Sequence, residues 1–502
     1  MACFFSKWRL VFLAVLTSSL LSAPLQAQPL SPLDAFKRAG IALSDVSLYA
    51  IAIDQIQPKI AHNSEALFAL ASTTKIATSL AALDILGPAF RWRTQAFTNG
   101  VVANGTLTGD LLIVGGGDPL LSSERLVAWF TQLQKRGVRD IVGNIVLNRQ
   151  RFLLETKDHA NTPVPDWRNP HHALPDAFIV DEGVVKLTIN SSSNSNSNSG
   201  QSAEAKQVAL TPAIEGIELA DQTQTLARCS AIKKPLTADF DLIAEQRKLV
   251  LTGEWAKDCA PMSVEALPLS HAEVSAAAVL AAWKKAGGTL SGSVLEAAPL
   301  PKPNKLSKQQ AKLAARTRAR KPFAVLESAQ LFDAIKQVNK WSNNVVARNL
   351  MMSLSPNFPR EPATLPKAQL AVKDWLQTKG FSSDDITIEN GSGLSRTERG
   401  KSRALATLLR DAWYSRVDKD FKASLSVAGV DGTMGSRLKR SGAAGKALIK
   451  TGTLSDTRAV AGYVTTKTNQ VYAIAAIVNN ANASRAVAAL DHFIDWVYEN
   501  GQ

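Results

Sequence analysis

Residues 72–87 read STTKIATSLAALDILG, and the reading of this stretch decides the fold. Ile76, Leu80 and Leu83 recur at i, i+4 and i+7, the spacing of one helical face, and Gly87-Pro88 closes the run. The helix is expected to begin at Ser72. That puts Ser72 and Lys75 on one face at i and i+3. A serine hydroxyl is a weak nucleophile until a base takes its proton. A lysine at its ordinary pKa of about 10.4 is protonated and useless as that base. Partial burial and a second nearby cation would favour the neutral amine. The helix N-terminus also offers backbone N–H groups where an oxyanion would form. Alone, a serine three residues before a lysine is a weak signal.

Two further motifs follow in order. Ser342-Asn343-Asn344 opens a second expected helix, WSNNVVARNLMM. Its first serine can relay a proton and Asn344 can hold a peptide-like substrate. Lys450-Thr451-Gly452-Thr453 leads into strand-rich sequence. A strand edge there can pair with an extended peptide, and Gly452 is expected to let the substrate backbone come close. Lys450 is the second cation, for a substrate carboxylate and for shifting Lys75. The ordered set is that of penicillin-binding proteins and class A β-lactamases, except that the middle residue of the second motif is Asn343 instead of aspartate.

Around these motifs the chain reads as α/β. Residues 45–54 (DVSLYAIAID) alternate as a strand; 460–464 and 471–478 read as two more. Residues 484–498 read as a helix with Val487, Leu490, Ile494 and Val497 on one face. Elements from both termini are expected to share one domain. A helix–turn–strand pattern occurs twice, at 124–147 and 272–295, which suggests two halves of one domain split by an insertion. The tract 191–202 (SSSNSNSNSGQS) is low-complexity and expected to be a disordered loop inside that insertion.

The 502 residues carry a net charge of +14, with 45% hydrophobic and 20% charged side chains, which suits a folded multidomain chain and excludes a disordered one. Lys7 and Arg9 precede an apolar run from Leu10 to Leu21, too short for a comfortable span, and small residues ending at Ala27 follow. We read a signal peptide cleaved after about Ala27 and export to an oxidising compartment. Three cysteines exclude a disulfide-dense scaffold. Cys3 lies in the signal; Cys229 and Cys259 predict one disulfide, the alternative being two buried thiols. The basic excess is local: Lys302, Lys305, Lys308, Lys312, Arg316, Arg318, Arg320 and Lys321 fall in one stretch without an acid. It reads as a charged connector, 301–321, with weak membrane or wall attachment as the functional alternative and no nucleic-acid partner. Gly115-Gly116-Gly117-Asp118 lacks the lysine of a phosphate loop, Ser392 in Asn390-Gly391-Ser392-Gly393 reads as part of a loop bordering the cleft, and His171-His172 stands without a ligand cluster. No cofactor or metal is called for.

The chain resembles the class C low-molecular-mass penicillin-binding proteins, the D-alanyl-D-alanine carboxypeptidase/endopeptidase family (peptidase family S13) of bacterial exported proteins. Beyond the triplets, the resemblance rests on LTGDLLIVGGGDPLL (107–121), NGSGLSR (390–396), VDGTMGSRL (430–438) and KTGTLSDTRAVAGYV (450–464), and it covers nearly the whole mature chain. The long span between Ser72 and Ser342 fits, because this family carries two nested domains there. The resemblance implies a split penicillin-binding (β-lactamase/transpeptidase-like) α/β catalytic domain, 28–95 and 322–502. Inside it lie an α+β domain, 96–182 and 266–300, and a mostly β domain, 183–265. It implies Ser72 as acylated nucleophile, Lys75 as base, and Ser342 and Asn344 for proton relay and substrate grip. Lys450, Thr451 and Thr453 would hold the terminal carboxylate and backbone, and the N–H groups of Ser72 and Thr453 would form an oxyanion hole. For a diaminopimelate side chain it points to Asp166 and Arg396, where Ser455 departs from the longer amide expected. The implied reaction is periplasmic acyl transfer on peptidoglycan stem peptides, releasing terminal D-Ala or cleaving D-Ala–diaminopimelate cross-links, with β-lactams acylating Ser72. A catalytically silent wall-binding protein and a β-lactamase are the alternatives.

Overall fold

The computed structural model describes residues 30–155, 158, 169–193, 204–214, 217–243, 246–266, 270–298 and 321–501. Asp166, the signal peptide and all of the basic segment but Lys321 therefore lie outside the described residues.

Strand Val46–Ala52 pairs antiparallel with Val471–Asn479, so both ends of the chain meet in one sheet, with Val46 opposite Val478. The sheet has six strands in the order Ile60–His62, Val46–Ala52, Val471–Asn479, Thr457–Thr465, Ala447–Leu454, Ser426–Val427, antiparallel throughout. Side chains alternate between its faces. Leu48, Ala50, Ile474, Ala476 and Val478 enter a core with Phe36 of helix Pro32–Arg38 and with Leu490, Phe493 and Val497 of helix Val487–Asn500. Tyr49, Ile51, Ala475 and Ile477 enter the opposite core. That core is filled by helices Lys75–Leu86, Leu331–Lys340, Asn344–Ser353, Leu365–Thr378 and Ser402–Trp413. Burial on both faces is why Val46–Ala52 and Val471–Asn479 are nearly continuously apolar, in place of the alternation expected at 45–54.

A seven-stranded sheet follows. Arg93–Ala103 turns at Asn104-Gly105, both at positive φ, into Thr106–Val114. The repeated pattern is real structure. Helix Ser123–Lys135 leads to Asp140–Val142 and Ile145–Asn148; helix His271–Lys285 leads to Thr289–Leu290 and Val294–Glu296. The two copies lie in parallel, Thr289 opposite Asp140 and Val294 opposite Ile145. Phe130 and Trp283 meet edge-to-face at 5.3 Å between the two helices. Strand Ala324–Glu327 also joins this sheet through Arg93–Ala96, although its sequence position falls in the segment expected to be catalytic. Composition marks where a linker runs, not which edge the next strand takes.

A third group of strands spans 185–266 around Leu187, Ile189, Leu249, Leu251 and Trp255. Cys229 and Cys259 are joined there, Cα atoms 5.1 Å apart. The expected loop 191–202 starts later: Ser191, Ser192 and Ser193 pair with Lys206, Ala205 and Glu204. Ladder bonds come from the backbone, so a polar sequence does not prevent the hairpin from running past its core. The rest of that tract lies outside the described residues.

Candidate active site

Ser72 sits one turn before the helix expected to begin with it. Ala71–Thr74 is a single 3-10 turn and the α-helix starts at Lys75. Ala71 enters this turn with a left-handed φ of 47°. Thr73 Oγ1 donates to Leu70 O at 2.6 Å and pins the turn. Two glycines let other segments reach it. A Cβ on Gly393 would lie 2.1 Å from Ala71 O, and one on Gly452 would lie 3.0 Å from Leu70 O and 3.2 Å from Ala71 Cβ. Gly452 therefore also makes room for the turn carrying Ser72.

Lys75 is fully buried. Its Nζ reaches Ser72 Oγ at 2.8 Å, Asn344 Oδ1 at 2.6 Å and the carbonyl of Ser392. Burial holds its ammonium well below the ordinary lysine range; Lys450 and Arg348 add to this and Glu398 opposes it. Lys450, also fully buried, donates to Ser342 Oγ at 2.9 Å and to Thr451 O at 2.8 Å. Burial pushes it down to about 7. The site thus holds two amine–hydroxyl pairs, Lys75 with Ser72 and Lys450 with Ser342, and burial weakens the hold of each amine on its proton.

Ser342 and Asn344 arrive from one sharp turn. Ser342 has φ 60°, Asn343 caps the helix by accepting from Val346 N at 2.9 Å, and Asn344 opens it facing Lys75. On the other wall, strand Ala447–Leu454 is paired with Thr457–Thr465 along its length. Ser426–Val427 covers the opposite side at Leu448 and Ile449 alone, so among the described residues Thr451–Leu454 presents an open strand edge. Thr451 Oγ1 donates to Thr433 Oγ1 at 2.8 Å, and Thr453 is exposed.

A model of the D-Ala-D-Ala carboxypeptidase 3 (S13) family matches residues 39–497. The chain belongs to that family. It is therefore a serine-type D-Ala-D-Ala carboxypeptidase, a hydrolase. A D-alanyl-D-alanine carboxypeptidase DacB of Haemophilus influenzae is 24% identical over 441 residues, covering 87% of this chain and 85% of the relative. The D-alanyl-D-alanine carboxypeptidase of Actinomadura sp. strain R39 is 26% identical over 440 residues, covering 84% and 75%. The crystal structure of penicillin binding protein 4 (dacB) from Haemophilus influenzae superimposes with a TM-score of 0.70 at 22% identity, over 94% of this chain and all of the other. The penicillin-binding α/β fold is thus shared.

Of the residues expected in this carboxypeptidase site, Ser72, Lys75, Ser342, Asn344, Lys450, Thr451 and Gly452 converge through the contacts above. Arg396 lies at the end of the open strand, half-exposed, donating to Asp456 at 2.6 Å and to Ser455 Oγ at 3.2 Å. It already has a carboxylate partner. Sequence reasoning missed Glu398. Its buried carboxylate accepts backbone N–H groups of Glu389, Asn390, Gly391 and Gly393 at 3.1, 2.9, 2.7 and 2.6 Å, fixing the loop whose Ser392 carbonyl meets Lys75. It also missed Arg348, buried one turn after Asn344, which donates to the carbonyls of His172 and Ala173. The sequence signal for Glu398 is an acid just after a glycine-rich loop, and acids there are usually solvated.

Proposed function

We propose that Ser72 is the acylated nucleophile of a serine DD-peptidase acting on peptidoglycan stem peptides. One observation carries this reading: the buried Lys75 amine lies 2.8 Å from Ser72 Oγ, in a site whose burial and second cation favour its neutral form. In acylation Lys75 takes the Ser72 proton as Oγ bonds to the penultimate D-Ala carbonyl. The oxyanion is received by the N–H groups of Ser72 and Thr453. The C–N bond then breaks, and the leaving amine takes a proton through Ser342 and Lys75. Water, deprotonated by the same lysine, hydrolyses the ester and restores Ser72.

Lys450, Thr451 and Thr453 hold the terminal carboxylate and backbone, the substrate lying as an added strand along 451–454. Asn344 grips the stem peptide. Asp166 and Arg396 serve the diaminopimelate side chain, which lets the same chemistry cut either terminal D-Ala or a cross-link. A β-lactam acylates Ser72 and leaves slowly. The protein acts in the periplasm after cleavage near Ala27, and the basic segment 301–321 gives weak attachment to membrane or wall. No described helix is long and apolar enough to cross a membrane.

Intact mass before and after benzylpenicillin tests the reading. A single adduct on the peptide containing Ser72, lost in Ser72→Ala, is expected. An adduct that survives in Ser72→Ala would remove the assignment.

A further inference from the structure

Where the chain enters the third group of strands, it makes a left-handed turn. Asp181, Glu182 and Gly183 have φ values of 48°, 59° and 72°. Two successive non-glycine residues in that region are costly and persist only where the surroundings fix them. Gly183 has no alternative, since a Cβ there would lie 2.7 Å from His271 Cδ2. Asp181 accepts from Ser123 N at 3.1 Å and from the Ser123 hydroxyl, anchoring the turn to the start of helix Ser123–Lys135. Glu182 reaches the other way. Its partly buried carboxylate accepts from Asn343 Nδ2 at 2.7 Å.

Asn343 therefore uses both ends of its amide. The oxygen caps the helix at Val346, and the nitrogen meets Glu182. Aspartate caps a helix equally well. At 343, however, it would turn an oxygen toward Glu182, and two carboxylates in contact cannot both stay ionised. We infer that Glu182 is a positioning residue for the Ser342–Asn344 turn: it grips Asn343 from the inserted part of the chain and makes an amide the required side chain there. This rests on the proposed roles of Ser342 and Asn344. It also explains the departure from aspartate in the second motif. The charges facing Glu182 are Glu265, on strand Met262–Ala266, and Asp181; His271 packs behind Gly183. Burial and both carboxylates raise Glu182 above the usual range, so a second acid at 343 shares its proton with Glu182.

The test is a set of variants, Glu182→Ala, Glu182→Gln, Asn343→Asp and the double Glu182→Gln/Asn343→Asp, each read by benzylpenicillin acylation rate at pH 5.5 and 8 and by Tm. Glu182→Ala is expected to slow acylation about 10-fold and Glu182→Gln less than about 3-fold, since a glutamine carbonyl still accepts from Asn343. Asn343→Asp is expected to slow it at least 10-fold at pH 8, with the deficit against wild type shrinking at pH 5.5. The double variant is expected to recover to within about 3-fold and to lose that pH dependence. Should Asn343→Asp fail to fold, a folded and active double variant still supports the grip. Wild-type rates in Asn343→Asp at pH 8, or a double variant no better than the single one, would overturn it. Wild type that takes no adduct at Ser72 would instead bring down the functional reading on which it rests.

Discussion

Ser392 offers its backbone carbonyl to Lys75 and turns its hydroxyl away, to Asn390 Oδ1 at 2.5 Å. A serine in a glycine-rich loop beside a nucleophile invites assignment as a second nucleophile. Here it is fully buried and aimed into its own loop.

Ser392→Ala is therefore expected to keep the Ser72 adduct, with an acylation rate within about 5-fold of wild type. Losing the hydroxyl's bonds should cost about 1 kcal/mol of stability. Acylation assayed beside thermal unfolding checks both. Loss of the adduct in a folded variant would give the hydroxyl a chemical role.

Gly452→Ala places a methyl 3.0 Å from Leu70 O and 3.2 Å from Ala71 Cβ. Overpacking of this kind costs about 1–3 kcal/mol. Because the strain falls on the turn holding Ser72, acylation should drop by 10-fold or more while the protein stays folded. A variant acylated at the wild-type rate would show that the strand and turn need not be so close.

Lys450 makes stability depend on pH. Its native pKa, near 7, lies below the unfolded value of about 10.4, so between these limits the unfolded chain binds more protons. The buried amine's penalty is complete below pH 7 and fades as pH rises toward 10. Lys450→Met removes that penalty, on the order of a few kcal/mol. Its Tm relative to wild type should be more favourable at pH 6 than at pH 9.5. Equal differences at the two pH values would mean that Lys450 titrates normally in the folded protein.

The Cys229–Cys259 bond closes a loop of sequence separation 30 within the strands of 185–266. Replacing both cysteines with serine should destabilise those strands by roughly 2–4 kcal/mol. Benzylpenicillin acylation at 25 °C should be unchanged, because the strands that hold the bridge pack around a core separate from the one behind Ser72. Faster proteolysis between 204 and 266, with an unchanged acylation rate, is the expected result.

Much of this was legible in the sequence for local reasons. Ser72 and Lys75 share a helical spacing, Lys450 and Gly452 lie in a short motif, and the repeated helix–turn–strand unit shows in its own periodicity. Ala71 was not legible, because nothing local in the sequence announces its left-handed φ and the segments packed on it arrive from 393 and 452. Glu398 and Glu182 were not legible either. Their partners are backbone amides and a distant asparagine, and nothing near them in sequence separates a buried acid from a solvated one. Asn343 was visible as a departure, but its cause lies across the fold at Glu182.

The pairing of Val46–Ala52 with Val471–Asn479 has a consequence for biogenesis. The nucleophile is made early, yet the sheet beneath its helix is complete only when the last hairpin has been synthesised. Long-range pairing of this kind is slow to form. A chain whose last two strands have not yet been made therefore lacks the sheet against which the helix after Ser72 packs.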